Sequence, residues 1–213
     1  MAGGSGEVNA MLDPFYLIVD GAHWIERLAP HGLRLVQLRI KDAPGNVLRD
    51  EIRRARDVCA QHGVTLVVND HWRLALDEGC GFVHLGQEDL VDADLDAIRR
   101  ADCKLGVSTH DGRELDIALA AKPDYIALGP VYPTTLKQLD WAPQGIARVG
   151  EWRAMLGAMP LVAIGGLTPE RARQALAAGA NSAAVATDVL GHPDPEARTR
   201  EWVEATRMKL PGA

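Results

Sequence analysis

Apolar residues fall along this chain in short runs of strand length, and between the runs their spacing turns helical. The runs are FYLIVD (15–20), LRLVQLRIK (33–41), VTLVVND (64–70), GFVHLG (81–86), KLGVSTH (104–110), DYIALGPVY (124–132), PLVAIGG (160–166) and NSAAVATDV (181–189). Between them, sets such as Leu48, Ile52, Ala55 and Cys59, or Ala172, Ala175, Leu176 and Gly179, carry the spacing that lines one face of a helix. The pattern predicts a strand–helix unit repeated eight times. The runs alternate little between apolar and polar, as parallel strands covered on both faces do, and Gly63, Gly79 and Gly179 supply turns into the next strand.

Eight such units point to a closed (β/α)₈ TIM barrel rather than an open doubly wound sheet, because no G-x-G-x-x-G follows the first run. An internal echo agrees: LAL at 74–76 leads to Gly86 just as IAL at 117–119 leads to Gly129, the same unit at the same length.

Composition narrows the function classes. The chain has 213 residues, 47% hydrophobic and 24% charged, which suits one globular domain. We read 1–12 as a flexible tail and 13–213 as a single TIM-barrel domain. The net charge is −6, from 23 basic and 29 acidic side chains, and no basic run is present to follow a nucleic-acid backbone. Cys59, Cys80 and Cys103 have no CxxC spacing, so a disulfide framework and a zinc knuckle are both disfavoured and a reducing cytoplasm is expected. MAGGSGEVNA lacks the parts of a secretion signal, and no run of about 18 apolar residues occurs. The expected partners are small molecules, not nucleic acid or membrane, and a homo-oligomer is left open.

In a barrel of this kind the chemistry sits where each strand stops on its C-terminal side. Strand two ends Gln37-Leu38-Arg39-Ile40-Lys41, and alternation sends Gln37, Arg39 and Lys41 to one face, either as rim charges or as a clamp for phosphate oxygens. Asp70 and Asp89 end strands three and four; they either cap the following helices or share a Mg²⁺, which takes one or two carboxylates and leaves its other positions to phosphates and water. Ser108, Thr109 and His110 close strand five. A long connection, GPVYPTTLKQLDWAPQG (129–145), follows strand six and carries Lys137; a lid is its expected use. Gly165-Gly166 and Ala186-Thr187-Asp188 end strands seven and eight, where such barrels cradle phosphate, although a glycine pair also suits a tight turn.

QLRIK, VND, HLGQEDL, GVSTH, ALGPVYPT, AIGG and AVAT, in this order over about residues 15 to 190, resemble the thiamine phosphate synthase family. The resemblance implies condensation of a pyrimidine diphosphate with a thiazole phosphate, the thiazole nitrogen attacking a pyrimidine methylene cation once diphosphate has left. It implies Mg²⁺ on Asp70 and Asp89, with the pyrimidine diphosphate on Gln37, Arg39, Lys41, Asn69, Ser108 and Lys137. Of these, Arg39, Lys41, Ser108 and Lys137 are the catalytic set. The thiazole would meet Thr134, Thr135 and Leu136, with its phosphate on Gly166, Ala186 and Thr187. Leu136 departs from the family's usual Thr-x-Thr-Lys run, and Thr187 replaces a more usual Ser. Two other readings share the barrel: a TenI-like thiazole tautomerase, which needs no diphosphate clamp, and a non-catalytic ligand-binding regulator.

Overall fold

The computed structural model describes residues 12–134 and 142–208. Eight parallel strands close into one barrel: β1 (Phe15–Val19), β2 (Leu35–Leu38), β3 (Thr65–Asn69), β4 (Phe82–Leu85), β5 (Lys104–Thr109), β6 (Tyr125–Leu128), β7 (Leu161–Ile164) and β8 (Ser182–Val185), with β8 pairing back to β1. Around it run α1 (Ala22–Leu28), α2 (Gly45–His62), α3 (Trp72–Asp77), α4 (Gln87–Val91), α5 (Leu95–Arg100), α6 (Gly112–Ala120), α7 (Gly145–Leu156), α8 (Pro169–Ala177), α9 (Thr187–Leu190) and α10 (Pro195–Arg207). No helix among the described residues is long and apolar enough to cross a membrane.

The apolar runs form two separate cores, split by side-chain parity. Leu17, Val36, Val68, Val83, Val107, Ile126, Ala163 and Ala183 point outward and pack under the helices. Tyr16, Leu35, Val67, Phe82, Tyr125, Val162 and Ala184 point inward, and Leu12 joins them. Because both faces are covered, both are apolar, which is why alternation is weak in the sequence.

Local chemistry fixes the helix starts. The side chains of Asp94, Asp111, Thr168 and Asp194 each accept a hydrogen bond from the backbone N–H three residues on, at the starts of α5, α6, α8 and α10. Each such cap contributes about 1 kcal/mol. At the carboxyl end Phe15 stacks on Trp202 at 5.5 Å, tying α10 to β1.

Two strands stop short of their apolar runs. The Arg39 N–H still donates to Val19 O at 2.8 Å, but by Asp42 the backbone has φ of 57° and has left the extended region. β6 stops at Leu128, and Pro130 just beyond has no N–H to give a ladder.

Candidate active site

A cavity of about 450 Å³ opens at the C-terminal ends of the strands. Arg39, Ser108, Thr134, Gly166, Ala186 and Thr187 are among its walls. Beneath it, inside the barrel, lies a chamber of about 100 Å³ walled by Tyr16, Gln37, Asn69, His84 and Tyr125, among others. Arg39 and Ser108 border both spaces.

Asp70 and Asp89 meet at the rim over β3 and β4. Asp70 follows β3 in the left-handed region, φ 61°, with its N–H donating to His84 O at 2.9 Å. Asp89 lies in the first turn of α4, not at the end of β4 itself. Neither acid caps a helix: α3 and α4 start at His71 and Gly86 without a side-chain cap. Instead the two carboxyls lie within hydrogen-bonding reach of each other, and burial, followed by the charge of Asp89, pushes the Asp70 pKa up to about 6, partly offset by Arg39. Two oxygen-donor groups pressed together at such a cost fit a hard divalent cation, with its remaining positions left to substrate and water. Among the described residues no group of three or more His, Cys, Asp or Glu side chains is placed to hold a metal, so this pair would share its ion with other oxygens.

On the opposite side, the glycine pair after β7 has φ of 98° and 64°. Both lie against the connection after β6: a Cβ on Gly165 would strike Pro130, and one on Gly166 would strike Pro133 and Tyr132. The backbones pair there too, with Val131 N–H donating to Ile164 O at 2.8 Å and Tyr132 N–H to Gly165 O at 3.0 Å. The glycines therefore anchor the root of the long connection as well as leaving the cavity wall low. Next to Thr187, Asp188 accepts two hydrogen bonds from Arg198 (2.8 and 2.9 Å) and one from Trp202 Nε1 (2.7 Å), which bolts this wall to α10.

The chamber floor holds a continuous row of hydrogen bonds. Gln37 Nε2 donates to the Tyr16 hydroxyl at 3.0 Å, Tyr16 and Tyr125 hydroxyls lie 3.0 Å apart, Tyr125 reaches His84 Nδ1 at 2.7 Å, and His84 Nε2 lies 2.8 Å from Ser108 Oγ. The row crosses from β2 to β5. Burial, with the Arg39 charge adding to it, lowers the His84 pKa to about 4, so the imidazole is neutral at physiological pH.

Of the residues expected from the sequence, Arg39, Ser108, Thr134, Gly166, Ala186 and Thr187 surround the upper cavity, while Gln37 and Asn69 sit in the chamber. Lys41 is exposed beyond the end of β2 and borders neither space. Thr135, Leu136 and Lys137 lie outside the described residues. Sequence reasoning passed over Tyr16, His84 and Tyr125 as site residues. The available signal was parity: His84 is the register partner of Asn69 on β3 and of Gly106 on β5.

The family model for thiamine monophosphate synthase matches residues 15–189. A thiamine-phosphate synthase of Rhizobium etli is 66% identical over 195 residues, 92% of this chain and 96% of the relative. One of Citrobacter koseri is 46% identical over 195 residues, 92% of this chain and 89% of the relative. A solved thiamine phosphate pyrophosphorylase from Pyrococcus furiosus has the same fold, with a TM-score of 0.82, 24% identity, and coverage of 94% of this chain and 98% of that one. The chain belongs to the thiamine monophosphate synthase family.

Proposed function

We propose that this chain is a thiamine phosphate synthase, condensing 4-amino-2-methyl-5-(diphosphooxymethyl)pyrimidine with 4-methyl-5-(2-phosphooxyethyl)thiazole, or its carboxylated form, to thiamine phosphate and diphosphate. Its strongest structural support is the abutting Asp70 and Asp89 carboxyls at the rim, with the Arg39 guanidinium near enough to act on Asp70. Such a mixture of paired acids and a cation suits a metal–diphosphate complex and has no use in a site for a neutral ligand.

Asp70 and Asp89 would hold Mg²⁺. When bound, the ion would supply charge neutralisation to the departing diphosphate. Arg39, Lys41 and Lys137 would stabilise the same leaving group, Arg39 by a planar fork, and Ser108 would hold the pyrimidine end of the diphosphate substrate with its hydroxyl. The C–O bond from the pyrimidine methylene breaks with its electron pair on the diphosphate, and the thiazole nitrogen lone pair then forms the C–N bond. Gln37 and Asn69 would orient the pyrimidine in the chamber. Thr134, Thr135 and Leu136 would border the thiazole, and Gly166, Ala186 and Thr187 its phosphate.

No protein nucleophile is required. The three cysteines are buried and unpaired, and burial raises their pKa values to about 11 or 12, which keeps them as inert thiols. Free thiols also support a reducing compartment, and we place the protein in the cytoplasm.

The test is a coupled assay with purified protein, both substrates and Mg²⁺. Diphosphate release that requires both substrates and stops with chelator is expected. Absence of release together with proton exchange on the thiazole would assign the chain to tautomerase chemistry instead.

A further inference from the structure

We propose that Tyr16, Tyr125 and His84 are positioning residues that form a one-way hydrogen-bond chain, fixing Gln37 as an acceptor and Ser108 as a donor toward the ring held between them. The proposal rests on the synthase reading for the identity of that ring.

The direction is set at the Gln37 end, where the amide nitrogen, which can only donate, faces Tyr16. The Tyr16 oxygen therefore accepts, and Tyr125 is the hydroxyl within reach of the Tyr16 proton, which the chain sends there. Tyr125 in turn gives its proton to His84 Nδ1; a ring nitrogen that accepts carries no proton, so the imidazole proton lies on Nε2, directed at Ser108 Oγ. Ser108 is then an acceptor toward His84, and its own hydroxyl proton is left for the cavity. At the other end, no buried side-chain oxygen among the described residues lacks a partner, yet the Gln37 bond is made through nitrogen. The Gln37 carbonyl oxygen therefore reaches the chamber and can accept from a ligand.

A ring that donates at one edge and accepts at the other matches this pair, and an aminopyrimidine does both. An oxo-pyrimidine would set its oxygen against the Gln37 carbonyl. Buried polar sites reject mismatched partners far more strongly than apolar pockets reject changes of size. The chain is thus a selectivity device for amino over oxo substituents, built from residues that need not touch the substrate.

Two measurements test it. In nitrogen-15 spectra of histidine-labelled protein, His84 is expected as the neutral form protonated on Nε2, and Tyr125→Phe and Tyr16→Phe should each mix its tautomers. Protonation on Nδ1, or an imidazolium at neutral pH, would overturn the direction. In the coupled assay, wild type should prefer the amino pyrimidine diphosphate over its oxo analogue at least a hundredfold in kcat/KM, and either Tyr→Phe variant should cut that preference about tenfold while the dependence on Mg²⁺ is unchanged. A preference unaltered in both variants would sink the selectivity role and leave the synthase reading standing. If wild type released no diphosphate from either compound, the synthase reading would fall, and the histidine spectra would still decide the chain.

Discussion

Gly106 and Tyr125 are register partners on β5 and β6, and the tyrosine ring fills the space that a side chain at position 106 would need. The missing Cβ lets the ring lean across β5 and stack on His84 of β4, with centroids 5.5 Å apart and planes 16° from parallel. Tyr125 thereby bridges three strands. Gly106→Ala is expected to force the ring aside at a cost of about 1–3 kcal/mol, as overpacking of a filled core does. Chemical denaturation gives the magnitude, and loss of the Tyr125–His84 contact in nitrogen-15 spectra gives the cause.

The carboxyl pair makes stability depend on pH in a definite direction. Burial and the neighbouring Asp89 raise the Asp70 pKa from the ordinary 3.8 to about 6, so the folded chain holds this proton more tightly than the unfolded one. Stability of the magnesium-free protein should therefore fall as pH rises through that window, by an amount on the order of 1 kcal/mol after solvent screening. Asp89→Asn should remove only the part of the fall that comes from the Asp89 charge, leaving the larger part due to burial, while abolishing turnover. Urea denaturation in chelator between about pH 4.5 and 8 measures the first effect, and Mg²⁺ should bind progressively more weakly below about pH 6 because protons compete for the same oxygens.

The barrel was legible because eight apolar runs at strand length, each followed by helical spacing, leave few other architectures. Asp70 was legible because it interrupts an apolar run just where β3 stops, whereas Asp89, expected at the end of β4, lies in the first turn of α4. The inner and outer faces were not, since Leu17 and Tyr16 are both apolar in pattern and only closure of the barrel assigns one to the helices and the other to the chamber. Tyr16 and Tyr125 consequently read as core. Lys41 was aimed by extending strand alternation past Leu38, and that parity lapses once the backbone turns at Asp42. The tie from Asp188 to Arg198 depends on a break between α9 and α10, which brings a residue ten positions away back onto the cavity wall.

That tie gives a prediction of its own. Arg198 and Trp202 hold Asp188 by three hydrogen bonds in a half-buried setting, beside the proposed thiazole-phosphate wall. Arg198→Ala leaves the carboxylate with one donor and frees the turn at Thr187. Loss of a charge-assisted pair of this type should cost about 1.5–3 kcal/mol of stability. The Michaelis constant for thiazole phosphate should rise several-fold, with that for pyrimidine diphosphate unchanged. Steady-state kinetics with each substrate varied in turn checks the split, and an equal rise in both would mean a general loosening of the barrel.

Arg39 and Lys41 carry the same charge but stand in different places, and this separates their expected contributions. Arg39 borders both cavities and acts electrostatically on Asp70 and on His84. Its removal should cost about 1.5–3 kcal/mol in binding the pyrimidine diphosphate, roughly ten- to a hundredfold, and should also raise the Asp70 pKa further, because the guanidinium now lowers it. Lys41 is exposed and its stem is flexible, so it can reach the diphosphate only by giving up rotamer freedom. Lys41→Ala should therefore weaken the diphosphate by less than Arg39→Ala does, and the loss should shrink as salt is added, since exposed charges are screened and half-buried ones less so. Titration of both variants with pyrimidine diphosphate at low and at high ionic strength reads the difference. A Lys41→Ala protein that binds and turns over like wild type at low salt would remove Lys41 from the clamp and leave Arg39 as its arm on β2.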